Sequence, residues 1–235
     1  MPVESFNTFE SREELADALS DQISQRLVLD NASGDFASIA LSGGSTPKLV
    51  LEQMQAKLGA TREMVYFALV DERYVPADDT RSNEHMIRAK LGLLEHPSSE
   101  FLSIYHKDET AEQAATLCQK KLLDDEELPF DVVTLGMGTD GHTASFFPGG
   151  DNLKAATDPA SDALFLAMTA PGAQETRVTM TLPPIVSAKF LVLHIEGAEK
   201  RRVYEQALQG GPADELPIRH VLRHPDAKIH VYWAP

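Results

Sequence analysis

The sequence has few cysteines and no long apolar run. Cys118 is the one cysteine among 235 residues, which excludes an internal disulfide and gives redox chemistry no support. No apolar run approaches the roughly 18 residues that a membrane-spanning helix needs. The first residues, MPVESFNTFESREE, are too acidic and polar for a signal peptide. We therefore expect a cytoplasmic protein with no membrane partner.

Basic residues are also scarce. The chain has 21 lysines and arginines against 36 aspartates and glutamates, and its formal net charge at pH 7 is −15. No cluster of basic residues stands out, so nucleic acid is not an expected partner. If the ligand is an anion, a few local cations must hold it against an unfavourable overall field.

Segments of strand and helix character alternate along the chain, without repeats or low-complexity linkers. Predicted strands cover residues 36–41, 65–70, 101–105, 132–135, 164–168, 190–195 and 229–233. Predicted helices cover residues 10–29, 46–58, 83–91, 110–124 and 199–208. This alternation predicts one α/β domain over residues 1–235. We expect a mostly parallel, doubly wound sheet with helices on both faces, a Rossmann-like three-layer sandwich.

The segment from Phe130 to Gly150 carries the strongest functional signal. Its apolar strand ends in glycines, an acid and a histidine, and open α/β sheets bind ligands at the carboxyl ends of their strands. Asp140 and His142 follow that strand end. Histidine has an ordinary pKa of about 6.5, which suits a general base near neutral pH. A glycine-rich connector with a surface histidine is the alternative interpretation.

The same segment also matches the pattern G-x-G-x-x-G, at Gly136, Gly138 and Gly141. A dinucleotide-binding loop opens a long crossover helix, whereas the Pro-Gly-Gly sequence at 148–150 stops any helix here after roughly two turns. We therefore expect no dinucleotide cofactor.

The segment ALSGGSTPK follows the first predicted strand and opens a helix. Gly43 and Gly44 expose backbone N–H groups there, and Ser42, Ser45 and Thr46 add hydroxyls at the positive end of the helix dipole. This composition favours a cradle for phosphate or carboxylate. The Gly-Lys-Ser/Thr ending of a Walker A loop is absent. An ordinary capped helix start, with Ser45 or Thr46 as the N-cap, is the alternative.

A third group of polar residues follows the strand at 65–70. Asp71, Glu72 and Arg73 fall at the same predicted edge of the sheet, where Arg73 is suited to pair with an acid or to bind an anion. A solvated turn is the alternative. Because three strand ends carry polar groups, we expect them to converge on one site.

Three motifs together resemble those of the 6-phosphogluconolactonase family in order and spacing: LSGGSTP, DERYVPADDTRSN and LGMGTDGHTASFFPG. The resemblance implies a single-domain α/β fold shared with glucosamine-6-phosphate deaminases. It implies hydrolysis of 6-phospho-D-glucono-1,5-lactone to 6-phosphogluconate in the oxidative pentose phosphate pathway, without a required cofactor. The expected partner is this sugar phosphate lactone. We expect a monomer, although no sequence feature determines the oligomeric state.

The loops and the resemblance together assign residues to roles. The predicted catalytic residues are His142 as base, Asp140 and Asp71. The predicted phosphate-binding residues are Ser42, Gly43, Gly44, Ser45, Thr46 and Arg73, to which the resemblance alone adds Arg177 and Lys200. Lactone hydrolysis also needs stabilisation of the oxyanion at C1, for which backbone N–H groups of the glycine loop are candidate donors.

Two other functions remain as alternatives. Amino-sugar-phosphate deaminases usually have a glutamate where this chain has the Phe-Phe-Pro sequence at 146–148, and ring opening in those enzymes uses that glutamate. A catalytically silent sugar-phosphate sensor is the second alternative, and the presence of His142 weighs against it. No metal site is predicted, because His220 and His224 have no third ligand at an obvious spacing.

Overall fold

The computed structural model describes residues 3–31, 36–95 and 100–235. The strands are β1 (Val3–Thr8), β2 (Ala37–Leu41), β3 (Val65–Leu69), β4 (Asp71–Arg73), β5 (Val132–Leu135), β6 (Phe165–Met168), β7 (Arg177–Met180), β8 (Phe190–Glu196) and β9 (Ile229–Ala234). The α-helices are α1 (Arg12–Asn31), α2 (Lys48–Leu58), α3 (Asn83–Lys90), α4 (Ala111–Asp124), α5 (Leu153–Ala156), α6 (Leu182–Val186), α7 (Gly197–Leu208) and α8 (Ile218–Leu222).

Six strands form a parallel sheet in the order β1-β9-β8-β5-β2-β3. Strands β2, β3 and β5 are buried at every position, as expected for parallel strands covered on both faces. On β1, Ser5 and Asn7 face α1, whereas the Phe6 ring lies 5.3 Å from the Tyr204 ring of α7. Since neighbouring residues of a strand point to opposite faces, α1 and α7 cover opposite faces of the sheet. The predicted α/β fold is confirmed.

A second sheet, of three antiparallel strands in the order β4-β7-β6, was not predicted. The chain passes from one sheet to the other at Val70, whose N–H donates to the Leu41 carbonyl and whose carbonyl accepts from the Met180 N–H. The predicted strand at 164–168 belongs to this small sheet and not to the parallel one. As a result, Asp71 and Arg73 lie in a strand beside the carboxyl ends of the parallel sheet, and not in a turn.

The structure differs from the predicted elements at three other places. Residues 101–105 form no strand, because only Phe101 bridges to the edge strand β3, at Phe67. Strand β1 was missed, since its half-buried edge position leaves only a weak apolar alternation. No helix follows His142: Thr143 bridges to Phe146. Within the described residues, no helix is long and apolar enough to cross a bilayer.

Candidate active site

The carboxyl ends of β2, β5 and β8 meet at one edge of the parallel sheet, with β4 and β7 beside them. A cavity of about 500 Å³ opens at this edge. Its lining includes every predicted site residue except Asp140: Ser42, Gly43, Gly44, Ser45, Thr46, Asp71, Arg73, His142, Arg177 and Lys200. The three predicted loops thus reach one cavity.

Asp140 lies behind His142 and is hydrogen-bonded to it. Its Oδ1 is 2.6 Å from His142 Nδ1 and also accepts the His142 backbone N–H at 3.1 Å. Burial raises the pKa of Asp140, but the hydrogen bond and charge of His142 outweigh this effect, so the pKa lies below its ordinary value. Because an ionised carboxylate only accepts, Nδ1 carries a proton, and in the neutral ring Nε2 then presents a lone pair. This tautomer is the one that a general base requires.

Glycine is required at two places in this loop. A Cβ at Gly138 would lie 2.2 Å from His142 Nδ1 and 2.5 Å from Asp140 Oδ1, so any side chain there would displace the hydrogen-bonded pair. Gly141 has φ +76°, and its Cβ would lie 2.6 Å from a Leu216 side-chain carbon. Gly138 thus leaves room for the hydrogen-bonded pair, and Gly141 lets the backbone pack against Leu216.

The N–H groups of the loop glycines are already paired inside the protein. Gly136 donates to Ser42 Oγ at 3.3 Å, Gly138 to the His142 carbonyl at 2.9 Å, and Gly141 to the Gly138 carbonyl at 3.1 Å. These three N–H groups are therefore paired within the protein, and the oxyanion role predicted for backbone N–H groups of this loop stays a prediction.

Ser42 and Gly43 connect neighbouring loops. The Ser42 hydroxyl donates to the Thr134 carbonyl at 2.8 Å, which ties the end of β2 to β5. Gly43 leaves room for Asn83, whose Oδ1 would lie 1.9 Å from a Cβ at position 43. The Asn83 side chain in turn donates to the Asp71 carbonyl at 2.9 Å. The phosphate-binding roles predicted for Ser42 and Gly43 stay predictions, because these contacts explain both residues without a ligand.

The start of α2 forms a positive end of the site. Its N-cap residue is Pro47, whose side chain cannot accept a hydrogen bond, so capping by Ser45 or Thr46 is not what begins this helix. The first N–H groups of a helix have no partner within it. Lys200 adds a charge here, since its Nζ donates to Thr46 Oγ1 at 3.0 Å. Burial lowers the pKa of Lys200, an effect that Glu196 opposes.

Arg73 and Arg177 form a second positive group. They lie directly opposite each other in the β4–β7 ladder, where like charges repel. Neither Nε has a hydrogen-bond partner among the described residues, although both atoms are buried. Burial lowers the pKa of Arg177, and Arg73 lowers it further, while Asp71 raises it. An anion between the two guanidinium groups would relieve this repulsion and satisfy their donors.

Asp71 also lines the cavity, and its predicted catalytic role stays a prediction. Its carboxylate accepts from the Ser145 hydroxyl at 2.7 Å, and the residue is only 7% exposed.

The aromatic ring that contacts His142 is that of Phe147. The centroids of the two rings are 4.5 Å apart, and the Arg177 guanidinium lies 5.7 Å from the Phe147 ring. Three residues of the motifs were not predicted to take part in the site. Asn83 is hydrogen-bonded to Asp71, Ser145 is hydrogen-bonded to the Asp71 carboxylate, and Phe147 contacts the His142 ring.

Comparison with known proteins identifies the family. The model of the family described as "Glucosamine-6-phosphate isomerases/6-phosphogluconolactonase" matches residues 10–233. The chain belongs to this family. It is 41% identical over 235 residues to the 6-phosphogluconolactonase of Rhizobium meliloti, covering 98% of this chain and 99% of that protein. The 6-phosphogluconolactonase of Mesorhizobium japonicum is 40% identical over 231 residues, with 98% and 95% covered.

A solved structure gives the same result. The crystal structure of a 6-phosphogluconolactonase from Shewanella baltica is similar to this chain with a TM-score of 0.90 and 33% sequence identity. The similarity covers 98% of this chain and 97% of that one. The resemblance predicted from the three motifs is thereby confirmed. Within the described residues, no group of three or more His, Cys, Asp or Glu side chains is arranged to hold a metal ion.

Proposed function

We propose that the chain hydrolyses 6-phospho-D-glucono-1,5-lactone to 6-phospho-D-gluconate, with His142 as the general base. One observation carries the proposal: the 2.6 Å hydrogen bond between Asp140 and His142, at a cavity that Arg73, Arg177 and Lys200 also line. A histidine with its proton on Nδ1 and three cations that line the same cavity together support general-base hydrolysis of a phosphorylated lactone. The names of the full-length relatives support the substrate and the place of this reaction in the oxidative pentose phosphate pathway.

The phosphate is assigned to the positive groups of the cavity. The start of α2, with Gly44, Ser45 and Thr46, offers N–H and hydroxyl donors next to Lys200. Arg73 and Arg177 add guanidinium donors from the small sheet. These local charges are needed because the whole chain carries a net charge of −15.

The reaction then needs one proton to move twice. Nε2 of His142 takes a proton from water as the water oxygen bonds to C1 of the lactone. Asp140 stabilises the imidazolium through Nδ1–H. When the bond between C1 and the ring oxygen breaks, the imidazolium returns the proton to that oxygen, which leaves as a hydroxyl. General-base catalysis of this kind typically contributes about 10² to 10⁴ in rate.

A direct assay tests the proposal. Freshly generated 6-phosphogluconolactone is added to the purified protein, and proton release is compared with spontaneous hydrolysis in the same buffer. We expect clear acceleration in proportion to protein concentration. Proton release that does not exceed the spontaneous rate would contradict the proposed function.

A deaminase function is not favoured by the site. Phe146 and Phe147 occupy the positions where the deaminase glutamate was expected, and both side chains are buried. Neither can act in proton transfer, so the step that opens an amino-sugar ring has no residue at this place.

We also propose that the chain is one domain and acts as a monomer in the cytoplasm. A single cluster of buried apolar side chains includes residues of both sheets, which supports one domain. Burial raises the pKa of the Cys118 thiol to about 12, as suits an inert thiol in a reducing compartment. Size-exclusion chromatography with light scattering tests the oligomeric state, and a mass near 25.8 kDa is expected.

A further inference from the structure

Glu72 is a charged residue of the DER motif that lies outside the cavity. It is 1% exposed and stands between Asp71 and Arg73 on β4. Since neighbouring side chains of a strand point to opposite faces, Asp71 and Arg73 reach the cavity and Glu72 points away from it. A buried carboxylate is costly unless it is fully hydrogen-bonded.

Four donors surround this carboxylate. Its Oε1 accepts the N–H groups of Arg73 and Asn83, both at 2.7 Å. Its Oε2 accepts the Ser82 hydroxyl and the Glu84 N–H, both at 2.8 Å. Asn83 and Glu84 are the first residues of α3, so the negative charge also lies at the positive end of that helix.

The four hydrogen bonds close the chain between residues 73 and 82 into a loop. Two side chains of the site depend on this closure. The Arg73 guanidinium donates to the Arg81 carbonyl within the loop, and Asn83, directly after it, donates to the Asp71 carbonyl. Arg73 and Asn83 thus both belong to backbone segments that are hydrogen-bonded to the Glu72 carboxylate.

We propose that Glu72 is a positioning residue, whose carboxylate holds Arg73 and the loop through Asn83 in the arrangement that binds the anionic group of the ligand. The identity of that group as the substrate phosphate rests on the proposed function. The evidence for an anion site is independent of that function. Arg73 lies opposite Arg177, and both Nε atoms lack hydrogen-bond partners among the described residues.

Glu72→Gln tests this role. The amide keeps the shape of the side chain but directs an NH₂ group at donors, so the loop is expected to shift. We expect the Kd of inorganic phosphate, measured by calorimetry, to rise about tenfold or more, as for loss of a charge-assisted contact. For the phosphorylated lactone, KM should rise while kcat stays within about twofold, because the Asp140–His142 pair is not touched. Glu72→Asp, which keeps the charge, should recover part of the phosphate affinity.

Asp131→Asn is the matched control. Asp131 is also a buried carboxylate with several donors, the Ser38 N–H at 2.7 Å and the Lys189 ammonium among them, but it precedes β5 at the opposite edge of the sheet. This variant should lose stability without a change in phosphate Kd. If Glu72→Gln does not fold, Ser82→Ala removes one of the four donors and should weaken phosphate binding about threefold.

The outcomes separate this inference from the proposed function. Unchanged phosphate affinity in folded Glu72→Gln, or in Ser82→Ala if the first variant does not fold, overturns the positioning role, as does a wild-type protein that binds no phosphate. A wild-type protein that hydrolyses no lactone, together with weaker phosphate binding in the variants, overturns the function and leaves the positioning role supported.

Discussion

At the residue scale, the tautomer of His142 is the central feature. Asp140 holds the proton on Nδ1, so Nε2 is the atom that accepts from water. Ser42 and Glu72 also carry polar groups close to the cavity. The hydrogen bonds of these groups, however, are made to other parts of the protein. Polar and charged residues near a site therefore serve two purposes. Some face the ligand, and others fix the conformation of the loops through hydrogen bonds.

The residue-scale prediction concerns His142→Asn. Asparagine keeps a polar side chain but cannot act as a base near neutral pH, so kcat should fall by about 10² to 10⁴. Binding of 6-phosphogluconate and the thermal unfolding midpoint should stay close to wild type. Asp140→Asn should lower kcat less than His142→Asn, because Asp140 orients the base and does not itself take the proton from water. Near wild-type turnover in a His142→Asn protein that binds 6-phosphogluconate would remove this histidine from the mechanism.

At the element scale, the loop after β5 joins chemistry to backbone geometry. Its glycines bring the chain so close to the Asp140–His142 pair that the smallest side chain does not fit at Gly138. The positions of the Asp140 and His142 side chains therefore depend on glycines, which have no reactive group of their own.

A pair of alanine substitutions tests the loop. Gly138→Ala places a methyl 2.2 Å from His142 Nδ1, so the hydrogen-bonded pair must separate, and kcat should fall at least about tenfold. Gly172→Ala is the control, since its Cβ would meet the nearest atoms, Asp140 Oδ2 and a Phe147 ring carbon, at an ordinary 3.8 Å. Steady-state assays of lactone hydrolysis measure kcat for both variants and compare it with that of wild type. Equal activity in the two would show that the close approach at Gly138 is not needed.

The connection between α4 and β5 carries a pH-dependent group. Burial raises the pKa of Glu127 to about 7, and the neighbouring charges of Asp125, Asp131 and Glu100 raise it as well. In the unfolded chain a glutamate has a pKa of about 4.3. Between these values the folded chain binds more protons than the unfolded one. Its free energy of unfolding therefore falls as the pH rises through this range.

Glu127→Gln removes this titration. The variant should match wild type in unfolding midpoint at about pH 3, where Glu127 is protonated in both states. It should exceed wild type at pH 8, where wild-type Glu127 carries a partly buried negative charge that the variant lacks. Glu126→Gln, at the exposed neighbouring residue, serves as the control. A difference from wild type that is the same at both pH values would contradict the assignment.

At the scale of the whole molecule, charge limits which ligands bind. With a net charge of −15, the protein repels anions except where Arg73, Arg177 and Lys200 concentrate positive charge. Phosphate should therefore be the main determinant of substrate binding.

Glucono-1,5-lactone, which lacks the phosphate, tests this expectation. Each lost charge-assisted contact is worth about 1.5 to 3 kcal/mol, so kcat/KM for this lactone should be at least about tenfold below that for the phosphorylated one. The comparison uses proton release corrected for the spontaneous rate of each lactone. Equal kcat/KM values would refute the assignment of the cations to phosphate.

Much of the architecture was predictable because it depends on local patterns. The strands β2, β3, β5, β8 and β9 and the helices α1 to α4 and α7 were predicted close to their observed bounds, since apolar periodicity and turn residues mark them. The three motifs also predicted which loops carry polar groups. Strands β4 and β7 were missed, because β4 consists of three charged residues, β7 begins with an arginine, and the two strands pair with each other from distant parts of the chain.

The sequence by itself determined the α/β class, most elements of the parallel sheet, the family and the residues suited to bind phosphate and move a proton, because these follow from local pattern and residue chemistry. Only the tertiary structure decided how those residues are used. It brought Arg73 opposite Arg177, paired Asp140 with His142, and directed the Ser42 hydroxyl and the glycine N–H groups into the protein. The physical reason is that each hydrogen-bonding group has few partners within reach, and the fold decides which segments supply them.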